Sequence, residues 1–103
     1  MNFDKEKEEM RFLAERRAVP EHIVDGIVSY VFDGRPPGGF LEAVFSNDLK
    51  EAFGRADETN RYAMFHIVSF LYGFVPSECW GSPARMNEWI RFKAEARARE
   101  IPG

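Results

Sequence analysis

The sequence predicts an all-α fold: a compact single-domain bundle of five or six helices, several of them short, with no β-sheet. Apolar residues recur at the spacings of a helix, and no segment alternates apolar and polar residues as a strand would. Six prolines and eight glycines divide the chain into short segments. The chain has 103 residues and is 45% hydrophobic, which is enough apolar material for one core.

The first predicted helix covers residues 3–18, within a charged N-terminal segment, residues 1–19. It consists mainly of Glu, Lys, Arg and Ala, which favour helix. Acidic residues precede Arg16 and Arg17, an order that complements the helix dipole. We therefore expect a solvated helix ahead of a core formed by residues 20–92.

The second helix is predicted to begin at Pro20, because a proline in the first helical turn sacrifices no hydrogen bond. Its apolar face consists of Ile23, Val24, Ile27, Val28 and Val31. Gly26 is expected to allow the close approach of a neighbouring element, although a glycine there costs about 1 kcal/mol of helix propensity. Gly34 is expected to end the helix.

A corner is predicted after this helix. Pro36 and Pro37 cannot donate backbone hydrogen bonds, so the helix cannot run through them. The next apolar residues have the spacing of a short amphipathic helix, and they are Phe40, Leu41, Val44 and Phe45. Residues 35–49 therefore stop one helix and start another.

Two further helices have clear starting signals. Asp48 and Glu51 have the three-residue offset of a capping box, which predicts a helix over residues 48–55. The side chains that this helix is expected to bury are Leu49, Ala52 and Phe53. Asp57 is a candidate cap for a long helix over residues 58–74.

The helix predicted over residues 58–74 is apolar on most of its sides. Its main face is expected to contain Met64, Ile67, Val68, Leu71 and Phe74. Aromatic residues on other faces are Tyr62, Phe65, Phe70 and Tyr72. A helix with this pattern belongs at the centre of a bundle or in an interface.

The last helix is predicted to begin at Ser82 and Pro83, after Pro76 has ended the long helix. Its apolar residues are Met86, Trp89, Ile90 and Phe92. A polar tail, residues 93–103, follows, and its end is expected to fray.

Five short motifs follow one another through the middle of the chain: PPGGFL, SNDL, RADETN, FLYG and CWGSP, with a tryptophan-bearing helix after them. This order resembles a group of small, functionally uncharacterised proteins encoded by bacteriophages and prophages. The resemblance covers most of residues 20–90. It implies a phage-related accessory protein and supplies no catalytic residue.

No catalytic, cofactor or metal site is expected. Cys79 would need an adjacent base to act as a nucleophile, and spacing places neither His22 nor His66 beside it. These three residues also lack the paired spacing of structural zinc ligands. The Pro-Pro-Gly-Gly run is not followed by the Gly-Lys-Ser/Thr ending with which a phosphate-binding loop holds phosphate and magnesium. We therefore expect a protein that is not an enzyme.

The cytoplasm of a bacterial host is the expected location. The chain does not open with a charged and then apolar leader, and its single cysteine cannot form an internal disulfide. The densest apolar stretch, residues 62–75, is shorter than the roughly 20 residues that a membrane-spanning helix needs. No membrane partner is expected.

Nucleic-acid binding is the alternative function, and it depends on the last helix. The basic residues that would form a stripe against phosphates are Arg85, Arg91, Lys93, Arg97 and Arg99. Three glutamates interrupt them, and Glu95 with Arg99 has the spacing of an ordinary solvated ion pair. The net charge of −3 is also low for a strong nucleic-acid binder. A solvated helix is therefore the preferred interpretation.

Protein binding is the preferred function, because aromatic residues form 15% of the chain and are the usual anchors of interfaces. The expected partner is another protein or a second copy of the chain. The candidate interface residues are Arg35, Phe40, Leu41, Tyr62, Tyr72 and Trp80. The alternative is that short helices with irregular crossings need bulky side chains to fill their core.

Overall fold

The chain folds as an all-α protein. The computed structural model describes residues 2–100, which contain seven α-helices, one short 3₁₀ helix and no β-strand. The elements are α1 (Asp4–Arg16), α2 (Glu21–Asp33), α3 (Gly39–Phe45), α4 (Leu49–Arg55), α5 (Glu58–Tyr62), α6 (Met64–Phe74), the 3₁₀ helix (Ser77–Cys79) and α7 (Pro83–Glu100). The radius of gyration is 13.6 Å, close to the roughly 13 Å of a compact 100-residue domain. The prediction of a compact all-α bundle is confirmed.

The predicted count of five or six helices falls short of the seven in residues 2–100, because the long helix expected over residues 58–74 is divided. Ala63 departs from regular helix geometry, with φ −91° and ψ 4°. Ala63 N still donates to Thr59 O (3.0 Å), and Ile67 N donates to Ala63 O (2.9 Å). The chain therefore turns between α5 and α6 while these two hydrogen bonds are kept.

The helices α1 and α2 form an antiparallel pair. Ala18 takes a left-handed conformation (φ 62°) in the link between them. Lys7 Nζ lies 2.9 Å from Asp33 Oδ2, and Arg11 Nε lies 3.0 Å from Asp25 Oδ1. The side chains that α1 buries are Met10 and Ala14. The first helix thus packs on the core through Met10, Ala14 and the partly buried Leu13, and two ion pairs link its outer side to α2.

The helix α2 supplies much of the core, and all five residues of its predicted apolar face are buried. It ends at Gly34 as predicted, with φ 68°, and a side chain there would overlap Lys93 of α7. A Cβ at Gly26 would lie 2.9 Å from Leu41 Cδ1. The expected close approach at Gly26 is therefore confirmed, and the neighbouring element is α3.

Between α2 and α4 the helices follow one another as predicted, but α4 buries a different set of side chains from the one expected. Asp48 Oδ1 accepts a hydrogen bond from Glu51 N (3.1 Å), which caps α4. Ala52 is buried as expected, whereas Leu49 is 70% and Phe53 39% exposed, so their predicted burial was wrong. The physical reason is that α4 packs on the core through the small Ala52, and Ala56, directly after the helix, is also buried, so the larger side chains face outwards.

The last helix begins where the sequence predicts. Ser82 Oγ accepts a hydrogen bond from Arg85 N (3.1 Å), and Met86 is buried. The helix α7 continues through the predicted polar tail to Glu100, and residues 101–103 lie outside the described part of the chain. In residues 2–100, no helix combines the length and the apolar character that crossing a membrane requires.

The centre of the core lies between α2, α3 and α6. The largest fully buried side chains are Tyr30, Phe45, Phe70, Ile27, Ile67, Leu71, Val28 and Cys79. The rings of Tyr30 and Phe45 stack with their centroids 4.3 Å apart. This arrangement uses one face of α6 for the core and leaves the opposite face of that helix uncovered.

Candidate interaction surface

An exposed strip of large apolar side chains runs along the outer side of α6. Phe65 is 76% exposed, Val68 38% and Tyr72 85%. Their spacing of three and four residues places them on one side of the helix, at about 100° of rotation per residue. Tyr62, at the end of α5, is 81% exposed and precedes Phe65 by three residues. We call Tyr62, Phe65, Val68 and Tyr72 the aromatic face.

The aromatic face and the buried face of α6 arise from two overlapping periodic patterns. The buried face consists of Met64, Ile67, Phe70 and Leu71. A helix that is apolar on both sides can cover only one side with its own core. The sequence predicted that this helix lies at the centre of the bundle or in an interface. In the structure one side of α6 packs in the core, and its other side is exposed and free to form an interface.

The aromatic face carries no ionic charge within its own stretch of sequence. Residues 62–77 contain no Asp, Glu, Lys or Arg, although 30% of the whole chain is charged. His66, which is exposed, is the one residue of a basic type in this stretch, and its ring meets Phe65 edge-on at a centroid distance of 5.6 Å. A surface with large aromatic side chains and few charges has the composition of an interface core rather than of an ordinary solvated surface.

A shallow cleft adjoins the aromatic face and is built around Trp80. Trp80 is half-buried and packs against the core. On one side the cleft is lined by residues of α3, α4 and α6, among them Val44, Leu49 and Val68. On the other side Trp80 shares it with Tyr72 and Arg85. The exposed Leu49 therefore continues the apolar surface from α6 onto α4.

The six predicted interface residues divide into three groups by exposure. Tyr62, Tyr72 and Arg35 are exposed, whereas Phe40 and Trp80 are half-buried against the core. Leu41 is buried beside Gly26, so its side chain does not belong to the outer surface. Of the six, the structure brings Tyr72 and Trp80 together at one cleft.

Sequence reasoning missed three members of this surface. Val68 was assigned to the core face of its helix, and Leu49 was expected to be buried, yet both are exposed. Phe65 was recognised as lying off the main face but was not named as an interface residue. The signal that could have identified this strip is the second helical repeat formed by Phe65, Val68 and Tyr72.

The five basic residues of α7 do not form one stripe. At about 100° per residue, positions 85, 91, 93, 97 and 99 are spread around most of the helix circumference. Arg85 donates to the carbonyl oxygens of Ser77 (3.1 Å) and Trp80 (3.5 Å). Arg99 Nη2 lies 3.8 Å from Glu95 Oε2. Arg91 and Arg97 are exposed.

Lys93 is held within the fold. Its Nζ lies 4.8 Å from the ring centroid of Phe3, 5.2 Å from that of Trp89 and 6.0 Å from that of Phe92. Its aliphatic carbons pack where a side chain at Gly34 would otherwise lie. Such cation–π contacts stabilise the ammonium group where it is, so Lys93 is poorly placed to reach a phosphate.

Cys79 lies in a buried network that joins three elements. The Tyr30 hydroxyl donates to Cys79 O (2.5 Å), and the Cys79 thiol donates to Pro76 O (3.1 Å). The Trp89 indole nitrogen donates to the carbonyl oxygens of Tyr30 (3.2 Å) and Val31 (3.1 Å). These contacts connect α2 to the 3₁₀ helix and to α7.

The acid–base properties of this network suit a structural role. Burial raises the pKa of the Cys79 thiol to about 12. Burial, and then the negative charge of a Cys79 thiolate, raises the pKa of Tyr30. A nucleophilic cysteine needs a lowered pKa, because the thiolate is the reactive form. The surroundings of Cys79 raise its pKa and so disfavour the reactive thiolate.

Comparison of the chain with protein-family models, with curated proteins and with solved structures found no match. In the part of the chain that the structure describes, no three His, Cys, Asp or Glu side chains are grouped so that they could hold a metal ion. The aromatic face and its adjoining cleft are the candidate functional features of the described residues.

Proposed function

We propose that this protein is a non-enzymatic accessory protein of phage or prophage origin that acts in the cytoplasm of its bacterial host by binding protein. The observation that carries the proposal is the exposure of Tyr62, Phe65 and Tyr72 beside one another on an uncharged stretch. The phage origin rests on the order of the motifs in residues 20–90. The protein-binding role rests on the aromatic face.

The size of the aromatic face supports this role. Aromatic side chains bury roughly 150–250 Å² each, so exposures of 76–85% leave on the order of 500 Å² of aromatic surface in water. The largest apolar patch on a typical monomer is about 300–600 Å², and such patches often serve as binding sites. The face lies in the upper part of that range before Val68 and Leu49 are included.

The kind of side chain on this face also supports protein binding. Tyrosine and other large aromatic residues are enriched among the few residues that carry most of the binding energy of an interface. Tyr62, Phe65 and Tyr72 are therefore the expected anchors of a complex.

The nucleic-acid alternative has weaker support from the same structure. Arg85 and Lys93 are occupied within the fold, and the remaining basic residues of α7 do not share one side of the helix. A mobility shift of DNA or RNA that decreases with salt, and that is lost on Arg91→Glu with Arg97→Glu, would support this alternative. Absence of retention on nucleic acid at low salt would exclude it.

The protein-binding role is tested by affinity capture from a bacterial host, with quantitative mass spectrometry of the retained proteins. The test variant combines Phe65→Ser with Tyr72→Ser, and the matched control is Phe12→Ser, which changes an aromatic residue 57% exposed on α1. We expect a defined partner to be retained by the original chain and by the control, and to be lost from the test variant.

Retention of the same proteins by all three forms would contradict the proposal, since binding would then not depend on the aromatic face. All of these side chains are exposed, so folding should be preserved. Equal helical circular dichroism and equal thermal midpoints for the three forms would verify this.

A further inference from the structure

Two small residues lie beside the exposed aromatics of α6. Ser69 and Gly73 are four residues apart, and their positions border the side that carries Phe65 and Tyr72. A Cβ added at Gly73 would meet no other described atom within 4 Å, so the packing of the chain itself does not require glycine there. Small residues at this spacing allow the backbone of a second helix to approach closely.

Charge favours a particular kind of partner for this face. In a two-fold symmetric contact the same patch of each copy faces the other copy, so an ionic side chain at the centre would meet its own like charge. Residues 62–77 contain no Asp, Glu, Lys or Arg, so α6 can lie against α6 of another copy without this repulsion. Two cations from other elements border this surface: Arg17, whose Cζ lies 4.7 Å from the ring centroid of Phe74, and Arg85, which shares the cleft with Tyr72; both are exposed. The centre of the face, formed by α6 itself, is uncharged and apolar in both copies.

The area of the face is also sufficient for contact with a second copy of the chain. Two aromatic faces of on the order of 500 Å² each would bury about 1,000 Å² together, which is near the lower limit for a specific interface. Val68, Ser69 and the exposed Leu49 would add to this area. The eleven residues of α6 span about 16 Å, and Phe65 and Tyr72 lie two helical turns apart along it.

We infer that the outer face of α6 is a homodimer interface, in which α6 of one copy crosses α6 of the second over Ser69 and Gly73, with Phe65 and Tyr72 packed beside the crossing. The inference rests on the proposed protein-binding role and names the partner of the same face. It gives a reason for exposing aromatic side chains next to two small residues.

The first test is the molar mass of the full chain in solution, measured by sedimentation or light scattering from about 1 µM to about 1 mM, a range that covers weak and moderate dimers. We expect a rise from the monomer mass of 11.9 kDa towards twice that value. Phe65→Ser and Tyr72→Ser should each raise the dimer dissociation constant at least about ten-fold, because aromatic anchors dominate interface energies. A mass of 11.9 kDa at every concentration would overturn the inference.

A pair of glycine substitutions separates an effect on the interface from an effect on the monomer. Gly73→Ala adds a methyl group at the proposed crossing, and we expect it to raise the dissociation constant several-fold. The matched control is Gly54→Ala, because Gly54 is also the next-to-last residue of its helix and an added Cβ would also meet nothing within 4 Å among the described residues. Both changes should stabilise the monomer similarly. Equal dissociation constants for Gly73→Ala and the original chain would refute the crossing over Gly73.

Other outcomes distinguish the dimer from the broader protein-binding role. A dimer whose dissociation constant is insensitive to Phe65→Ser and Tyr72→Ser would lie on another surface and would overturn the inference. A monomer that loses a captured host protein on the same substitutions would overturn the dimer and leave the proposed function in place. Sedimentation of the monomer with phosphatidylcholine vesicles, abolished by these substitutions, would assign the face to lipid instead.

Discussion

Alkaline solution should destabilise this protein through Cys79, because burial raises the pKa of its thiol. The size of that rise gives the expected loss of stability. The thiol has a pKa of about 12 in the folded chain, against an ordinary value of 9.0. Between these two values the unfolded chain releases the thiol proton and the folded chain retains it. Since the folded state then binds more protons, the free energy of unfolding falls as pH rises above about 9.

The expected loss is about 0.4 kcal/mol at pH 9 and about 1.4 kcal/mol at pH 10, relative to neutral pH. Tyr30 adds a further decrease of the same sign above its ordinary pKa of 10.0, since its pKa is also raised. The contribution of Cys79 is isolated by Cys79→Ala, which removes the thiol and keeps Tyr30. The substitution should cost about 1 kcal/mol near neutral pH, because it removes a buried sulfur atom.

The measurement is urea unfolding followed by circular dichroism, near pH 7 and near pH 10, with a reductant present so that the unfolded chain does not form disulfides. Near pH 7 the original chain should be the more stable of the two. Between pH 7 and pH 10 we expect its advantage in unfolding free energy over Cys79→Ala to fall by about 1.4 kcal/mol, so that the difference approaches zero or changes sign. Two pH profiles that stay parallel would refute the reasoning, since the thiol would then titrate alike in both states.

Three further predictions concern the fold. Tyr30→Phe keeps the ring and leaves Cys79 O without its buried donor, which should cost about 1–3 kcal/mol of unfolding free energy in urea titrations; a cost within error of zero would contradict the importance of this bond. Gly34→Ala should cost at least about 1–2 kcal/mol, because the left-handed φ disfavours a side chain and Lys93 occupies the space, so an unchanged thermal midpoint would argue against this packing. Asp48→Ala removes the cap of α4 and should cost about 0.5–2 kcal/mol, whereas Asp48→Asn should retain most of the stability.

The helices and their ends were predictable where the decisive contacts are local. Gly34, Asp48 and Ser82 act on backbone groups within a few residues, and the structure places all three at helix boundaries. The division at Ala63 was not predictable, because alanine favours helix and no proline or glycine marks the boundary between α5 and α6. Local chemistry therefore predicts most of the helix boundaries, but the sequence around Ala63 carries no such local signal.

The candidate surface was only partly predictable, since periodicity gives the angles between side chains and not which side is covered. Tyr62 and Tyr72 were proposed for the interface and are exposed, whereas Leu41 was proposed and is buried. Lys93 was placed on a basic stripe, but its position depends on Phe3, which is ninety residues away in the chain. Such long-range contacts carry no signal in the local pattern of a single sequence.

The positions of the two tryptophans allow binding and unfolding to be followed by intrinsic fluorescence. Trp80 borders the cleft beside Tyr72, so its fluorescence should respond when a partner covers the aromatic face. Trp89 is hydrogen-bonded to the backbone of α2, so its fluorescence should respond when α7 separates from the core. In the Trp89→Phe variant the remaining Trp80 would report binding, and in the Trp80→Phe variant the remaining Trp89 would report unfolding, in both cases without an added label.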